Sequence, residues 1–306
     1  MAGHFLERNM DSAMYKSIFT FIYAFHMPLF VFVSGLFHKN EKIGQKVLTY
    51  VSLGYVYKIF VFITRYFIGQ KPNFYLLKED GIPWYMFVLA AFIGIACLTR
   101  NMNQKFVLFM AVLVACFAGY DDSVGDYLIL SRILVFYPFY QLGVCMDKDR
   151  LFAATRDRKS QVLAAGILIG WAMACVFLLD YVYKLRPFFT GRNSFPEALG
   201  YGGGFVRLFC YLLAVVLGWA MICVSPKKKL PVMTECGKKT LQIYFWHRPF
   251  LYLVTYWGIA ERVCTGLTGE ILFLLCSVPV TLLFSMNIFS FPVTQILKLG
   301  LSQEKR

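Results

Sequence analysis

Apolar residues run through this chain in nine blocks, at about 17–37, 47–68, 82–98, 106–120, 129–146, 161–183, 203–224, 240–258 and 271–293. A helix that crosses the roughly 30 Å hydrocarbon core of a bilayer needs about 20 mainly apolar residues. Most of these blocks reach that length, and the one at 106–120 falls short of it. The connecting segments are brief and polar, which leaves no room for a soluble domain. The pattern predicts an all-α, polytopic integral membrane protein with about nine transmembrane helices. A single membrane domain is expected over residues 1–306.

Lysine and arginine then orient the blocks. Segments 38–46, 99–105, 147–160, 225–239 and the tail after 293 carry eighteen basic residues; the alternate segments 1–16, 69–81, 121–128, 184–202 and 259–270 carry eight. Basic loops stay on the cytoplasmic side. The first set is therefore expected inside, the C-terminus included, in a cell membrane of cytoplasmic (inner) type. Asp121, Asp122 and Asp126 share one segment expected outside. This topology puts residues 1–16 outside, although they hold Glu7, Arg8, Asp11 and Lys16 and no apolar core of a cleavable signal. A further helix before Met1, entering from the cytoplasm, would resolve that, so the chain is expected to be truncated at its N-terminus.

Composition agrees with the pattern. The chain is 58% hydrophobic and only 16% charged, well under the ~25% of soluble proteins. Its net charge of +14 raises nucleic acid as a partner. The basic residues lie in loops between apolar blocks, however, so membrane topology accounts for them and no nucleic acid is expected. Nine cysteines are scattered without any C-x-x-C pair, and neither a disulfide framework nor a zinc site is indicated.

The exceptions to the apolar pattern are the candidate chemistry. An ionisable group in hydrocarbon costs about 2.5–3.5 kcal/mol on insertion scales, so it tends to mark a site or pathway. His26 and Pro28 interrupt the first block, in Phe25-His26-Met27-Pro28-Leu29-Phe30 running on to Ser34-Gly35. Pro28 has no N–H for the Ala24 carbonyl, which bends the helix beside His26. Ser34, eight residues on, is offset from His26 by only about 80° around the helix, so both can face one pocket. The His-x-Pro pattern returns at His247-Arg248-Pro249. His4 lies just before the first block, and His38 sits at a cytoplasmic end beside Lys39, where solvation accounts for it.

Arg132 begins its block and either snorkels to the interface or contacts an anion. Trp84 is either an interfacial tryptophan or part of a site. Lys58 and Arg65 share a helix face and either line a cavity or pair with Asp180. Histidine near neutrality can take a hydroxyl proton, and a guanidinium can hold a phosphate or a developing negative charge. Glu7, three residues after His4, is within reach to orient it.

At these residues the chain resembles the integral-membrane acyltransferase-3 family, in particular its fucose 4-O-acetylase-like group. Gly3-His4-Phe5-Leu6-Glu7 is similar to the end of the family's first helix, and Phe25 to Phe30 with Ser34-Gly35 resembles its F-H-M-P-L-F…S-G block. Arg132 with Phe136-Tyr137-Pro138-Phe139 and Gly143 resembles its R…F-x-P-F-x-x-x-G helix. Gly237-Lys238-Lys239-Thr240-Leu241 with Ile243-Tyr244, His247 and Pro249 resembles the late G-K-x-S/T-L-x-I-Y-x-x-H-x-P block, and Trp84-Tyr85-Met86 stands where the family has W-F-L. Arg248 departs from the pattern, which expects a less charged residue there.

That resemblance implies about ten transmembrane helices, most of the first lying before Met1. It implies transfer of an acyl group, usually acetyl from acetyl-CoA, to a hydroxyl of a carbohydrate or glycoconjugate on the extracytoplasmic side. Acyl-CoA is then a donor substrate and no bound cofactor is implied. His4 is the expected general base, His26 shapes or assists the site, and Arg132 binds the donor or stabilises the oxyanion. Ser34, Trp84, Glu7 and His247 are supporting residues. The donor's nucleotide is expected at basic inner loops such as Lys227-Lys228-Lys229 or Arg156-Arg158-Lys159, which also serve to fix topology. The competing readings are a polytopic transporter or flippase of a glycan or small solute, and a degenerate, non-catalytic homologue. The acceptor, the acyl chain length and the oligomeric state are not legible.

Overall fold

The computed structural model describes residues 1–7, 9–78, 81–192, 194–226 and 228–301. Among them the chain is helical between turns, with one isolated bridge pairing Lys78 and Tyr127. The first half holds α1 (Ala2–Leu6), α2 (Ala13–Tyr23), α3 (His26–Leu36), α4 (Ile43–Phe67), α5 (Trp84–Leu98), α6 (Gln104–Phe117), α7 (Leu130–Cys145), α8 (Lys148–Thr155) and α9 (Arg158–Phe177). The second holds α10 (Leu179–Val182), α11 (Arg186–Thr190), α12 (Gly203–Val224), α13 (Pro231–Lys238), α14 (Thr240–Tyr256), α15 (Ile259–Val263), α16 (Leu267–Leu275), α17 (Ser277–Phe284) and α18 (Val293–Leu301).

Among the described residues, five stretches are long and apolar enough to cross a membrane: Ala13–Leu36, Ile43–Phe67, Arg158–Phe177, Glu197–Val224 and Leu267–Phe284. The other four expected runs also fold as helices, but α5, α6, α7 and α14 have only 15, 14, 16 and 17 residues. Local signals trim them: Pro83 stands at the start of α5, and the Asn103 side chain caps α6 by accepting from the Lys105 and Phe106 N–H groups. The run read as continuous to 293 stops at Phe284, and α18 begins only after Pro292.

Many large apolar side chains face outward, as Ile169, Met173, Val176 and Phe177 do on α9. In water such a surface would aggregate; against lipid it is the ordinary outer face. Lipid tails are as apolar as leucine, so close packing and polar bonds hold the bundle together. The closest pairing is α3 on α7. A methyl group on Gly35 would fall on the Tyr140 carbonyl, and one on Gly143 would fall on the backbone of Phe32 and Leu36. Two glycines therefore permit that backbone approach.

Polar bonds complete the frame. Buried Gln242 donates from Nε2 to the Phe284 and Met286 carbonyls (2.6 and 2.7 Å), satisfying carbonyls at the C-terminal end of α17 and just beyond it. Lys58 donates to the Tyr75 and Lys78 carbonyls at 2.6 Å each, while Arg65 bonds Gln70 Oε1 and lies over the Tyr252 ring. Through these bonds the two cations tie the segment after α4 to that helix. At the N-terminus, Phe5 and Leu6 are fully buried, and the Phe5 ring lies 5.1 Å from that of Phe273. Glu270 accepts from Asn9 Nδ2 and Ser12 Oγ (3.1 and 2.7 Å), fixing the turn between α1 and α2.

Candidate active site

The first expected span is broken, and the break builds the site. Without an N–H on Pro28, the Ala24 carbonyl loses its partner, and α2 ends at Tyr23 while α3 restarts at His26. Pro28 then falls in the first turn of α3, where its missing donor costs little. The His26 side chain covers the opening: its Nδ1 lies 3.1 Å from the Ile22 carbonyl. A carbonyl only accepts, so Nδ1 carries the proton and Nε2 is left as an acceptor. His247 repeats the motif on α14, with Nδ1 donating to the Tyr244 carbonyl at 2.6 Å.

His4 and Glu7 meet at the end of α1. His4 Nδ1 lies 3.2 Å from Glu7 Oε2. Tyr23 donates its hydroxyl to Glu7 Oε1 at 2.7 Å, and an Arg248 Nη donates to Oε2 at 3.0 Å. A carboxylate held by both groups stays ionised, accepts the His4 Nδ1 proton and leaves His4 Nε2 as the basic nitrogen. These residues precede Ala13–Leu36, the first of the apolar stretches long enough to cross a membrane. Burial lowers the His4 pKa below the ordinary imidazole value, and Glu7 only partly offsets it. For Glu7, burial alone acts upward, but His4, Arg248 and the Tyr23 hydroxyl outweigh it and hold the carboxyl well below the usual range.

The three histidines converge. The His4 ring lies 5.0 Å from that of His247, and the Tyr23 ring, 4.5 Å from His26, stands between His26 and the Glu7 carboxylate. On the facing side Arg132 is buried at the start of α7, with its guanidinium 5.0 Å over the Trp84 ring. Trp84 in turn stacks on Phe136. Asp126 lies 3.9 Å from Arg132 and also accepts from Arg192. The anion-facing alternative for Arg132 thus has a buried, oriented guanidinium to rest on, and Trp84 is part of the same wall.

A cavity of about 440 Å³ joins the two sides. His4, Glu7, His26, Trp84 and Arg132 all line it, so five of the seven residues singled out in the sequence come together. Two do not. His247 is buried behind His4, and its Nε2 has no hydrogen-bond partner among the described residues. Ser34 faces a different cavity, of about 340 Å³, with His38, Lys46, Thr49 and Tyr140. Its angular match to His26 was right for one helix, but eight residues carry it about 12 Å along the axis. Ser34 bonds instead to the Phe30 carbonyl (2.9 Å) and the Tyr85 hydroxyl (3.2 Å).

Other lining residues escaped sequence reasoning. Tyr23 had a usable signal, being one turn before His26, but its bond to Glu7 was hidden. Arg248 looked like a misplaced charge because its partner Glu7 is 241 residues away. Arg186 and Arg192 sat in a loop that charge counting assigned to topology alone. His38, expected to be merely solvated, bonds the Tyr140 hydroxyl at 2.8 Å and Asn40 at 3.0 Å. Of the basic loops, Lys227 lies outside the described residues.

A basic imidazole nitrogen and a buried guanidinium lining one cavity can remove a proton and stabilise negative charge in the same step. The fold and this cavity define a helical membrane protein equipped for acid–base group transfer. Residues 1–290 match the family model described as an acyltransferase domain, so the chain belongs to the acyltransferase-3 family and is a membrane acyltransferase. Nodulation protein NolL of Sinorhizobium fredii is 24% identical over 275 residues, which cover 79% of this chain and 71% of that protein. No solved structure matches the chain.

Proposed function

We propose that this acyltransferase moves an acyl group, acetyl in the first instance, from acyl-CoA to a hydroxyl of a carbohydrate or glycoconjugate. The observation that carries the reading is the His4–Glu7 pair opening onto the cavity that Arg132 lines. In the proposed reaction His4 Nε2 takes the acceptor hydroxyl proton as the oxygen attacks the thioester carbon. The carbonyl π pair moves onto oxygen, and Arg132 stabilises that oxyanion. Collapse re-forms the carbonyl and breaks the C–S bond; the thiolate leaves and takes the proton from His4. Glu7 keeps its charge throughout, holding the His4 tautomer and stabilising the transient imidazolium.

The loop charges support nine crossings, a cytoplasmic C-terminus and an inner-membrane location. In that frame the His4 cavity belongs to the extracytoplasmic side. His26, Trp84 and Arg132, at the N-terminal ends of α3, α5 and α7, line it; Ser34, Ile93 and Tyr140, further along the same helices, line the second cavity. Lys39 and Lys46 at that second cavity suit the polyanionic nucleotide of the donor.

Transfer of label from radiolabelled acetyl-CoA into envelope glycans, in membranes carrying the full chain or His4→Ala, tests the reading. Incorporation by the wild type and its loss in His4→Ala is the expected result. No incorporation by a well-inserted wild type sinks the proposal and favours transport or a degenerate role.

A further inference from the structure

Two cavities are lined by successive stretches of α3, α5 and α7, and a hydrogen bond links their linings. Tyr85 lines the cavity that holds His4 and Arg132; Ser34 lines the other. The Tyr85 hydroxyl and Ser34 Oγ are 3.2 Å apart. The Tyr85 ring is held edge-on by Trp84 and Tyr244, each with its centroid 5.9 Å away. Ser34 is fixed by its bond to the Phe30 carbonyl. At this contact a bulky ring faces a small hydroxyl, and a neutral bond joins them. Such a bond is worth only about 0.5–1.5 kcal/mol net, which is within reach of thermal opening.

We infer that Tyr85 and Ser34 form the constriction through which the donor's acyl end passes, and that they limit the length of the acyl group transferred. The inference rests on the proposed donor reading. If the nucleotide stays at the Lys39–Lys46 end, the acyl group is the leading tip and must cross this constriction to reach His4. Each added methylene has to pass the Tyr85 ring and then find room beside the guanidinium, imidazole and carboxylate groups that share the cavity lining with apolar side chains. Apolar chain among those groups strips their solvation without replacing it. The geometry thus favours the shortest acyl groups, and Ser34 acquires a role at the constriction rather than in the His26 pocket.

Binding of two CoA thioethers that cannot transfer their alkyl group, S-ethyl-CoA and S-hexyl-CoA, tests this on the purified full chain in detergent. The wild type is expected to bind the ethyl form at least roughly tenfold more tightly, because the four extra methylenes of the hexyl form must pass the constriction and displace solvent from polar groups. Tyr85→Ala is expected to bring the two affinities within about threefold, and the ratio of kcat/KM for acetyl-CoA over hexanoyl-CoA to fall in parallel. Tyr85→Phe keeps the ring packing and loses only the bond to Ser34. It should give an intermediate ratio, as should Ser34→Ala, so the idea stands or falls even if Tyr85→Ala does not fold. Equal wild-type affinity for both thioethers, or selectivity unmoved by all three variants, overturns the gate alone. Binding of neither thioether overturns the donor reading together with it.

Discussion

His26-Met27-Pro28 and His247-Arg248-Pro249 are the same three-residue pattern put to different use. In both, the histidine Nδ1 donates to a backbone carbonyl of the preceding turn and Nε2 is left as an acceptor. At Pro28 the helix opens into α2 and α3, and His26 reaches the cavity. At Pro249 the helix stays whole, ten residues into α14, and His247 is buried behind His4. Packing decides the difference: α2 lies against α9 and α3 against α7, so the halves follow separate partners. Proline makes a break available, and tertiary contacts determine whether it is taken.

The residue both segments converge on gives the largest expected effect. His4→Ala should lower kcat by about 10²–10⁴-fold, the usual worth of a positioned general base, with little change in acceptor KM. His247→Ala should cost far less, since its ring lines no part of the cavity. Comparable losses in the two variants, measured as initial rates of acetyl transfer, would break the distinction between a histidine that lines the cavity and one buried behind it.

Next comes the break itself. Pro28→Ala restores the missing donor and lets one helix run from 13 to 36, which should swing His26 away from Tyr23. We expect acetyl transfer to fall by about 10–100-fold, because displacements near 1 Å at a reacting centre carry that penalty. The thermal midpoint should stay or rise, as proline is the poorest helix former. Pro249→Ala, in a helix that is already whole, should move the rate less than threefold. Equal sensitivity of the two prolines would show that the break is incidental.

Glu7→Gln sharpens the comparison through pH. The imidazole must be neutral to accept a proton, so activity is lost as pH falls through the His4 pKa. Burial places that pKa below the ordinary ~6.5, and Glu7 is the group that pulls it part of the way back. A neutral glutamine removes the upward pull, so the acid limb of kcat/KM should move to lower pH still. The plateau should drop by about tenfold or more, since the tautomer is no longer fixed and the base is weaker. A limb that moves to higher pH in Glu7→Gln would mean that another group is titrating.

These residues also show what the sequence could and could not convey. Blocks of apolar residues and isolated polar exceptions were legible because each is a local departure from a strong pattern. Thus His4, His26, Trp84 and Arg132 stand out from the pattern alone, and the structure gathers them into one cavity. Ser34 was misplaced because angular agreement on a helix says nothing about position along its axis. Arg248 read as an anomaly because a counter-charge 241 residues away leaves no mark in the local pattern. The break after Tyr23 was half legible: Pro28 announced a bend, but only the differing partners of α2 and α3 turned it into two helices.

The smallest effect separates the two segments by a single hydroxyl. Tyr23 precedes His26 by one turn, and its O–H donates to Glu7 Oε1 at 2.7 Å while its ring packs on Phe19 and His26. Tyr244, one turn before His247, sends its hydroxyl to the Ile82 carbonyl instead. Tyr23→Phe keeps both ring contacts and removes one of the bonds that hold Glu7. A hydrogen bond to a charged group contributes about 1.5–3 kcal/mol, but Arg248 still grips the other carboxylate oxygen. Only part of that worth should reach the reaction, so kcat should fall by roughly three- to tenfold with the donor and acceptor KM unchanged. Tyr244→Phe loosens α14 from the Ile82 loop without touching Glu7, and should act on thermal stability more than on kcat. The reverse pattern would place the orienting network on the late His-x-Pro segment rather than on the early one.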